Sequence, residues 1–521
     1  METRTPRFPF PLLAGLLLVV LVGPLPALSG GGELEAQAPD RETLARMAAE
    51  QTRPGMYELA ELLAIPNVAS DTVNIRRNAE WLAAAFQERG FTAEILPTEG
   101  NPLVWAERRF EGNDRTILFY AHYDGQPADP AAWGQEDPFQ PVLKAPDPEE
   151  GFAAIPMERL DGEIDPEWRI FARSASDDKA PIVMLLRALD ALEEEGITPG
   201  SDIRVILDGE EEAGSPNLPQ AIRQYRDRLQ ADLMLIIDGP RHPSDAPTMR
   251  FGARGIMTLR LVTYGPAEPL HSGHYGNWAP NPAQRLAHLL ASMKDQEGRV
   301  TIPGFYDGIR IPPEVRPFLD AVPDDEDRLL REMALGAPDS VDASLQAALQ
   351  YPSLNVRGMG SGWIGDDART IIPDTAVAEI DVRLVVESDH EHLFGLIADH
   401  IRGEGYHLMV DESPDLDVRR AHPRVASLHR GLAYPAYRTA MDHPQMTWVR
   451  EAVDEAFEQD AVFLRTSGGT VPISPFVQEL GLPAAGVPTV NPDNNQHSPN
   501  ENLRVGHFTD GIRTLLSILA R

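Results

Sequence analysis

Three short stretches with almost no polar interruption, Ile117 to Ala121, Ile203 to Leu207 and Leu233 to Ile237, constrain this chain more than any other feature. A strand that is apolar on both faces has to be buried on both, the situation of a parallel sheet sandwiched between helices. Between the first two runs, a helical repeat from about Lys179 to Glu195 places Val183, Leu186, Leu189 and Leu192 on one face. Strand, helix and strand predict an open α/β sheet. Two further helices are expected over it, through Tyr57, Leu59, Leu62 and Leu63 up to Pro66, and through Ala79, Leu82, Ala83 and Phe86 up to Gly90.

The residues just beyond each run point to chemistry. The first run leads into His122-Tyr123-Asp124, the second into Asp208-Gly209-Glu210-Glu211-Glu212, and the third into Asp238-Gly239. In open α/β sheets ligands bind outside the carboxyl ends of the strands, so these side chains should converge on one crevice. So many acids in one place repel one another unless a cation or protons neutralise them. The chain has no cysteine, so a metal could be held only by His, Asp and Glu.

Taken singly, each residue has an ordinary alternative. A His-x-Asp triplet is commonly structural, and the three glutamates could be an exposed acidic turn. Asp177-Asp178 could be a helix N-cap, Asp238 a turn residue, and His497 in Asn494-Asn495-Gln496-His497 a surface loop residue. Together, His122, Asp177, Glu212, Asp238 and His497 supply two imidazoles and three carboxylates, a donor set that suits zinc and also cobalt or manganese.

At 521 residues the chain exceeds the roughly 250 to 300 residues at which one core stops growing, so more than one domain is expected. From about Gly252 the pattern changes to alternating strands (Met257, Leu259, Leu261; Ala376, Ala378, Ile380, Val382) with a helix near His392 to Ile401. This predicts an inserted α+β domain over residues 251–437, flanked by the two parts of the α/β domain, 40–250 and 438–521. The second part opens with a helix at Val449 to Phe457, and Glu136 to Pro148 reads as a Pro-rich loop. Asp and Glu outnumber Lys and Arg by 80 to 46, a formal charge of -34 that would repel nucleic acid. Arg4 and Arg7 precede an apolar run from Leu12 to Val22 and the small residues Ala27-Leu28-Ser29. Residues 1–29 therefore read as a cleaved secretory signal, the apolar run being about half of the roughly 20 residues a membrane span needs. The mature chain is expected in the periplasm or outside the cell, with no stable membrane insertion.

Several of these segments, in order along the chain, resemble the dinuclear zinc exopeptidases that include carnosinase-like dipeptidases, glutamate carboxypeptidase, acetylornithine deacetylase and succinyl-diaminopimelate desuccinylase. The resemblance rests on Ala121-His122-Tyr123-Asp124, Ser176-Asp177-Asp178-Lys179, Glu211-Glu212-Ala213-Gly214-Ser215, Asp238, Leu270-His271-Ser272-Gly273, Arg383 and Gln496-His497-Ser498-Pro499-Asn500-Glu501. It implies an α/β/α catalytic domain of phosphorylase/hydrolase-like build with a mostly parallel central sheet, and an inserted lid that also forms a homodimer. It further implies that Asp177 bridges two metal ions, with His122 and Asp238 on one and Glu212 and His497 on the other. Glu211 becomes the general base and Asp124 the partner of His122, and the Asp177–Asp178 peptide is cis. His271 would help to stabilise the reacting oxygen, across a subunit boundary, and Arg383 would clamp a substrate carboxylate. Ser467-Gly468-Gly469-Thr470 is similar to a substrate-contacting glycine loop of the family, with Thr470 where carnosinase-like members tend to have serine. The chain departs from the pattern at Ala172-Arg173-Ser174 and Ala180, where the family has Gly-Arg-Gly and Gly, and in an insertion around Pro146 to Pro166. The resulting expectation is a secreted dipeptidase acting on small peptides. An N-acyl-amino-acid amidohydrolase is the alternative, and a non-catalytic binding protein of the same fold a more distant one.

Overall fold

The three apolar runs lie side by side. In the computed structural model, strand Thr116–His122 pairs in parallel with Asp202–Asp208 on one side and with Leu233–Ile236 on the other. The described residues are 38–470 and 473–521, so the signal segment expected over residues 1–29 lies outside them. The sheet has eight strands, in the order Thr92–Leu96, Leu103–Arg108, Asp202–Asp208, Thr116–His122, Leu233–Ile236, Ala484–Gly486, Thr248–Arg250 and Val462–Leu464. Four of its seven pairings are parallel and three antiparallel, the antiparallel ones lying outside the central strands. The parallel expectation therefore holds where the sequence is apolar on both faces. The edge strand Thr92–Leu96 has several exposed residues and joins its neighbour as a hairpin.

Successive side chains of the central strand enter two different cores, as strand geometry requires. Ile117, Phe119 and Ala121 pack with Leu59, Leu82, Leu186 and Leu515, from helices Arg41–Leu63, Thr72–Glu88, Lys179–Glu194 and Val505–Leu519. Leu118 and Tyr120 pack on the opposite face with Leu218, Ile222 and Phe476, from helices Leu218–Gln224 and Ser474–Leu480. The result is the expected α/β/α arrangement. The first helix is longer than its apolar repeat suggested: it starts at Arg41, capped by Asp40 accepting from the Thr43 amide, and carries Pro54 inside it. The helix expected at Val449 to Phe457 spans Pro444–Glu455.

Residues expected as a Pro-rich loop contain a strand, Val142–Asp147. It joins Gly151–Ala154, Arg169–Phe171 and Asn502–Arg504 in a separate four-stranded sheet. Its Pro146 pairs only with Phe152, beyond the stretch bonded to Arg169–Phe171, so the missing N–H is tolerated there. This small sheet sets Asn502 against Phe171, bringing the segment after His497 beside the one that leads to Asp177.

Segments Ser353–Gly360, Thr375–Leu384, Gly255–Tyr264, Val425–Tyr434 and His407–Val410 form a five-stranded sheet. Leu259 faces Ile380 and Leu261 faces Ala378, so the two alternating patterns seen in the sequence share one buried face. Helices Pro282–Met293 and His390–Gly403 cover that face through Leu286, Leu289, Leu393 and Ile397. No helix among the described residues is long and apolar enough to cross a membrane.

Phe119 is fully buried at the centre of the larger sheet. Phe119→Ala is expected to cost about 3 to 5 kcal/mol, read as a lower urea midpoint, whereas Val73→Ala, at a position 70% exposed, should shift it by no more than about 0.5 kcal/mol.

Candidate metal centre

Strand Thr116–His122 ends on His122, which stands opposite Asp208 of the neighbouring strand. The imidazole is buried; its Nε2 lies 2.8 Å from Asp177 Oδ1, and its Nδ1 lies 3.2 Å from the Asp124 carbonyl and 3.4 Å from Asp124 Oδ1. Asp124 does more than flank the histidine. Its two carboxylate oxygens accept from the amides of Glu211 and Glu212, at 2.9 and 3.0 Å, and so fix the turn after the second apolar strand.

Asp177 reaches two ways. Oδ1 faces His122, while Oδ2 lies 3.1 Å from Nε2 of His497, which is also 3.1 Å from Glu212 Oε2. His497 has φ +60, in the left-handed region, where histidine is more tolerated than most side chains. The Asp177–Asp178 peptide is cis. The five residues singled out in the sequence are thus gathered at one place, in two groups whose potential ligand atoms lie within 4.8 Å of one another. One group is Asp177, Glu212 and His497; the other is His122, Asp238 and Asp178.

Asp178 is the addition that sequence reasoning missed. It occupies the N-cap position of helix Lys179–Glu194, yet its side chain makes no capping bond. Its Oδ2 accepts from the His122 amide, and its buried Oδ1 has no partner among the described residues. Adjacency to Asp177 was the available signal, and the capping alternative hid it.

The electrostatics of the cluster call for positive charge. Burial, then repulsion from Asp177, pushes the Asp238 carboxyl up to about 6. Burial and Asp124 do the same to Asp208, also to about 6. Glu211 is raised well above the usual carboxylate range by burial and by Asp238, Asp177 and Glu212, with His122 opposing. Asp178 is raised well above that range by burial and by Asp238. Conversely, contact with Asp177 and Glu212 lifts His497 to about 10. Divalent cations would replace those protons, and oxygen and imidazole donors with an orphaned buried carboxylate oxygen fit such ions.

A buried carboxylate holds the loop that carries Asp177. Glu501 accepts from the amides of Ser174, Ser176 and Asp177 and from Ser176 Oγ, each at 3.0 Å, and from Arg173 Nη1 at 2.7 Å. Glu210, in contrast, is structural: it binds Asn101 and Asn217. Glu211 Oε2 sits 4.0 Å from His122 Nε2, beside the donor set.

The expected substrate contacts divide. Arg383 Nη1 donates to Thr470 Oγ1 at 2.8 Å, so these two are brought together, with Gly468 and Gly469 leading into Thr470. His271 is exposed on a two-stranded ribbon with Ile371, and its Nδ1 accepts from the Gly273 amide at 3.0 Å. Among the described residues, no hydrogen bond or ion pair links His271 to the acid cluster within the chain.

The sequence matches the profile of Peptidase family M20/M25/M40 over residues 118–521. It is 25% identical over 477 residues to a Cys-Gly metallodipeptidase of Schizosaccharomyces pombe, covering 87% of this chain and 92% of that protein. It is 24% identical over 421 residues to the human Beta-Ala-His dipeptidase, covering 79% of this chain and 76% of that protein. An M20 family metallo-carboxypeptidase structure from Sulfolobus solfataricus superposes with a TM-score of 0.71 at 26% identity, covering 89% of this chain and 98% of that one.

Removing the Glu501 charge should loosen the Asp177 loop without touching a metal-ligand candidate. Glu501→Gln is expected to lower zinc affinity about 10- to 100-fold in competition with a chromogenic chelator, while unchanged affinity would refute the positioning role.

Proposed function

The chain belongs to Peptidase family M20/M25/M40, and from that membership we propose that it is a metal-dependent dipeptidase cleaving an amide bond next to a free carboxylate. The observation that carries the proposal is Glu211, a carboxylate beside the two candidate donor groups and a member of neither, an arrangement that mere metal binding does not require. The names of the relatives support dipeptides as the substrate class.

His122, Asp178 and Asp238 would hold one ion and Asp177, Glu212 and His497 the other, with Asp177 reaching towards both. When bound, such a pair of ions, zinc or alternatively cobalt or manganese, supplies a Lewis acid and a water acidified to about pKa 7. Glu211 takes up a proton at its carboxylate as the carbonyl is attacked and delivers it to the leaving amine. Asp124 keeps that carboxylate in place by holding the Glu211 and Glu212 amides. Arg383 offers its planar donor fork to the substrate's terminal carboxylate, with Thr470 bracing one arm of the fork.

His271 would complete the site from a second copy of the chain. Its exposure supports this, together with the exposed apolar residues on the same and neighbouring segments, Tyr275 at 43%, Trp278 at 80% and Ile364 at 88%. The apolar amino-terminal run and its small-residue end support export of the mature chain.

The test is hydrolysis of a panel of dipeptides and N-acetyl amino acids by the zinc-loaded protein and by Glu211→Gln. Wild type should release amino acids from dipeptides, and the variant should lose about 10²- to 10⁴-fold in kcat with its metal content intact. Turnover of acyl substrates alone would make the chain an amidohydrolase, and near wild-type kcat in the variant would remove Glu211 from its role.

A further inference from the structure

Beside Arg383 lies a second cation. Arg254 occupies the link between strand Gly252–Ala253, which pairs with Tyr437–Arg438, and strand Gly255–Tyr264 of the five-stranded sheet, and it is only 7% exposed. Its Nη2 donates to the Tyr351 carbonyl and to Ser353 Oγ, both at 3.0 Å. Ser353 stands directly opposite Arg383 in the antiparallel ladder, so the two side chains leave the same face of the sheet. Thr470 closes the arrangement: its hydroxyl accepts from Arg383 and donates to the main-chain carbonyl of Arg254 at 2.7 Å.

The charges around this pair do not balance. Burial, followed by the positive charge of Arg383, pulls the Arg254 guanidinium down to about 10, with Asp381 the acid that opposes the shift. Asp381 is itself 3.8 Å from Arg383 Nε. The two guanidiniums thus share one neighbouring carboxylate, and the buried Nε of Arg254 has no partner among the described residues. A buried cation is costly unless an anion joins it. A substrate carboxylate is the anion that Arg383 is already placed to receive.

We propose that Arg254 is a specificity-determining residue of the carboxylate subsite, supplying the second positive charge that selects substrates ending in a free carboxylate. This rests on the reading of Arg383 as the clamp. Arg254 acts through its field and through the ordering of Ser353 beside Arg383. The bond to Thr470 comes from its backbone, so side-chain substitutions leave that bond's acceptor in place.

The experiment compares a dipeptide with its carboxyl-terminal amide on the zinc-loaded protein, measuring kcat and KM for each. In R254M, the ratio of kcat/KM for free over amidated substrate should fall about tenfold, mostly through KM, and R254K, which keeps the charge, should restore most of it. Ser353→Ala, a milder change, should lower the same ratio about threefold and serves if R254M does not fold. An unchanged ratio, or an R254K as impaired as R254M, overturns the proposal and leaves Arg254 a structural residue. A wild-type enzyme indifferent to the amide would overturn the Arg383 clamp, and this inference with it; a wild-type preference insensitive to Arg254 would overturn only this inference.

Discussion

Asp124, Asp177, Asp178, Asp208, Glu211, Glu212 and Asp238 crowd the carboxyl ends of three parallel strands and the loops around them, at positions largely shielded from water. Burial, and then repulsion among the acids, raises several of these carboxyls above their usual range. No amount of apolar packing removes that repulsion. It is relieved by protons or by cations, and the two histidines that face Asp177 from opposite sides are suited to cations. The packed sheet underneath supplies the rigidity that keeps the repelling groups together.

The acids are held by donors drawn from distant parts of the sequence. Glu501 gathers three amides of one loop and Arg173 around the segment leading to Asp177, and it is delivered there by the pairing of Asn502–Arg504 with Arg169–Phe171. Asp124 does the same for Glu211 and Glu212. A residue can therefore matter to this site without touching an ion or a substrate, and the insertion around Pro146 to Pro166, which contains strand Gly151–Ala154, adds to the sheet whose strand Asn502–Arg504 follows Glu501. The proposed carboxylate subsite is assembled in the same way, from Arg383, Thr470 and Arg254 on three separate segments of the chain.

Much of this was legible in the sequence because the strongest signals there are periodic. The central strands follow from uninterrupted apolar runs, and helices Lys179–Glu194 and His390–Gly403 from spacing on one face. Asp124, Asp208, Glu211, Glu212 and Asp238 are legible because each follows a recognisable strand. The limits have equally physical causes. The first helix runs through Pro54 because tertiary packing on Lys179–Glu194 and Val505–Leu519 outweighs the local penalty, which propensity alone does not reveal. Strand Val142–Asp147 reads as loop in the sequence because proline marks turns more often than edge positions. A helix start offers Asp178 the simpler role of a cap, and Arg254 carries no local signature at all, since its meaning lies in a hydrogen-bond partner about a hundred residues away.

Asp177 would be shared by two cations that relieve the repulsion among these acids, and equilibrium dialysis of the metal-stripped protein against zinc tests this directly. Two ions per chain are expected for the wild type, one for Asp238→Ala, and weakened binding at both positions for Asp177→Ala. A single ion in the wild type, or two tightly bound ions in Asp177→Ala, would contradict it.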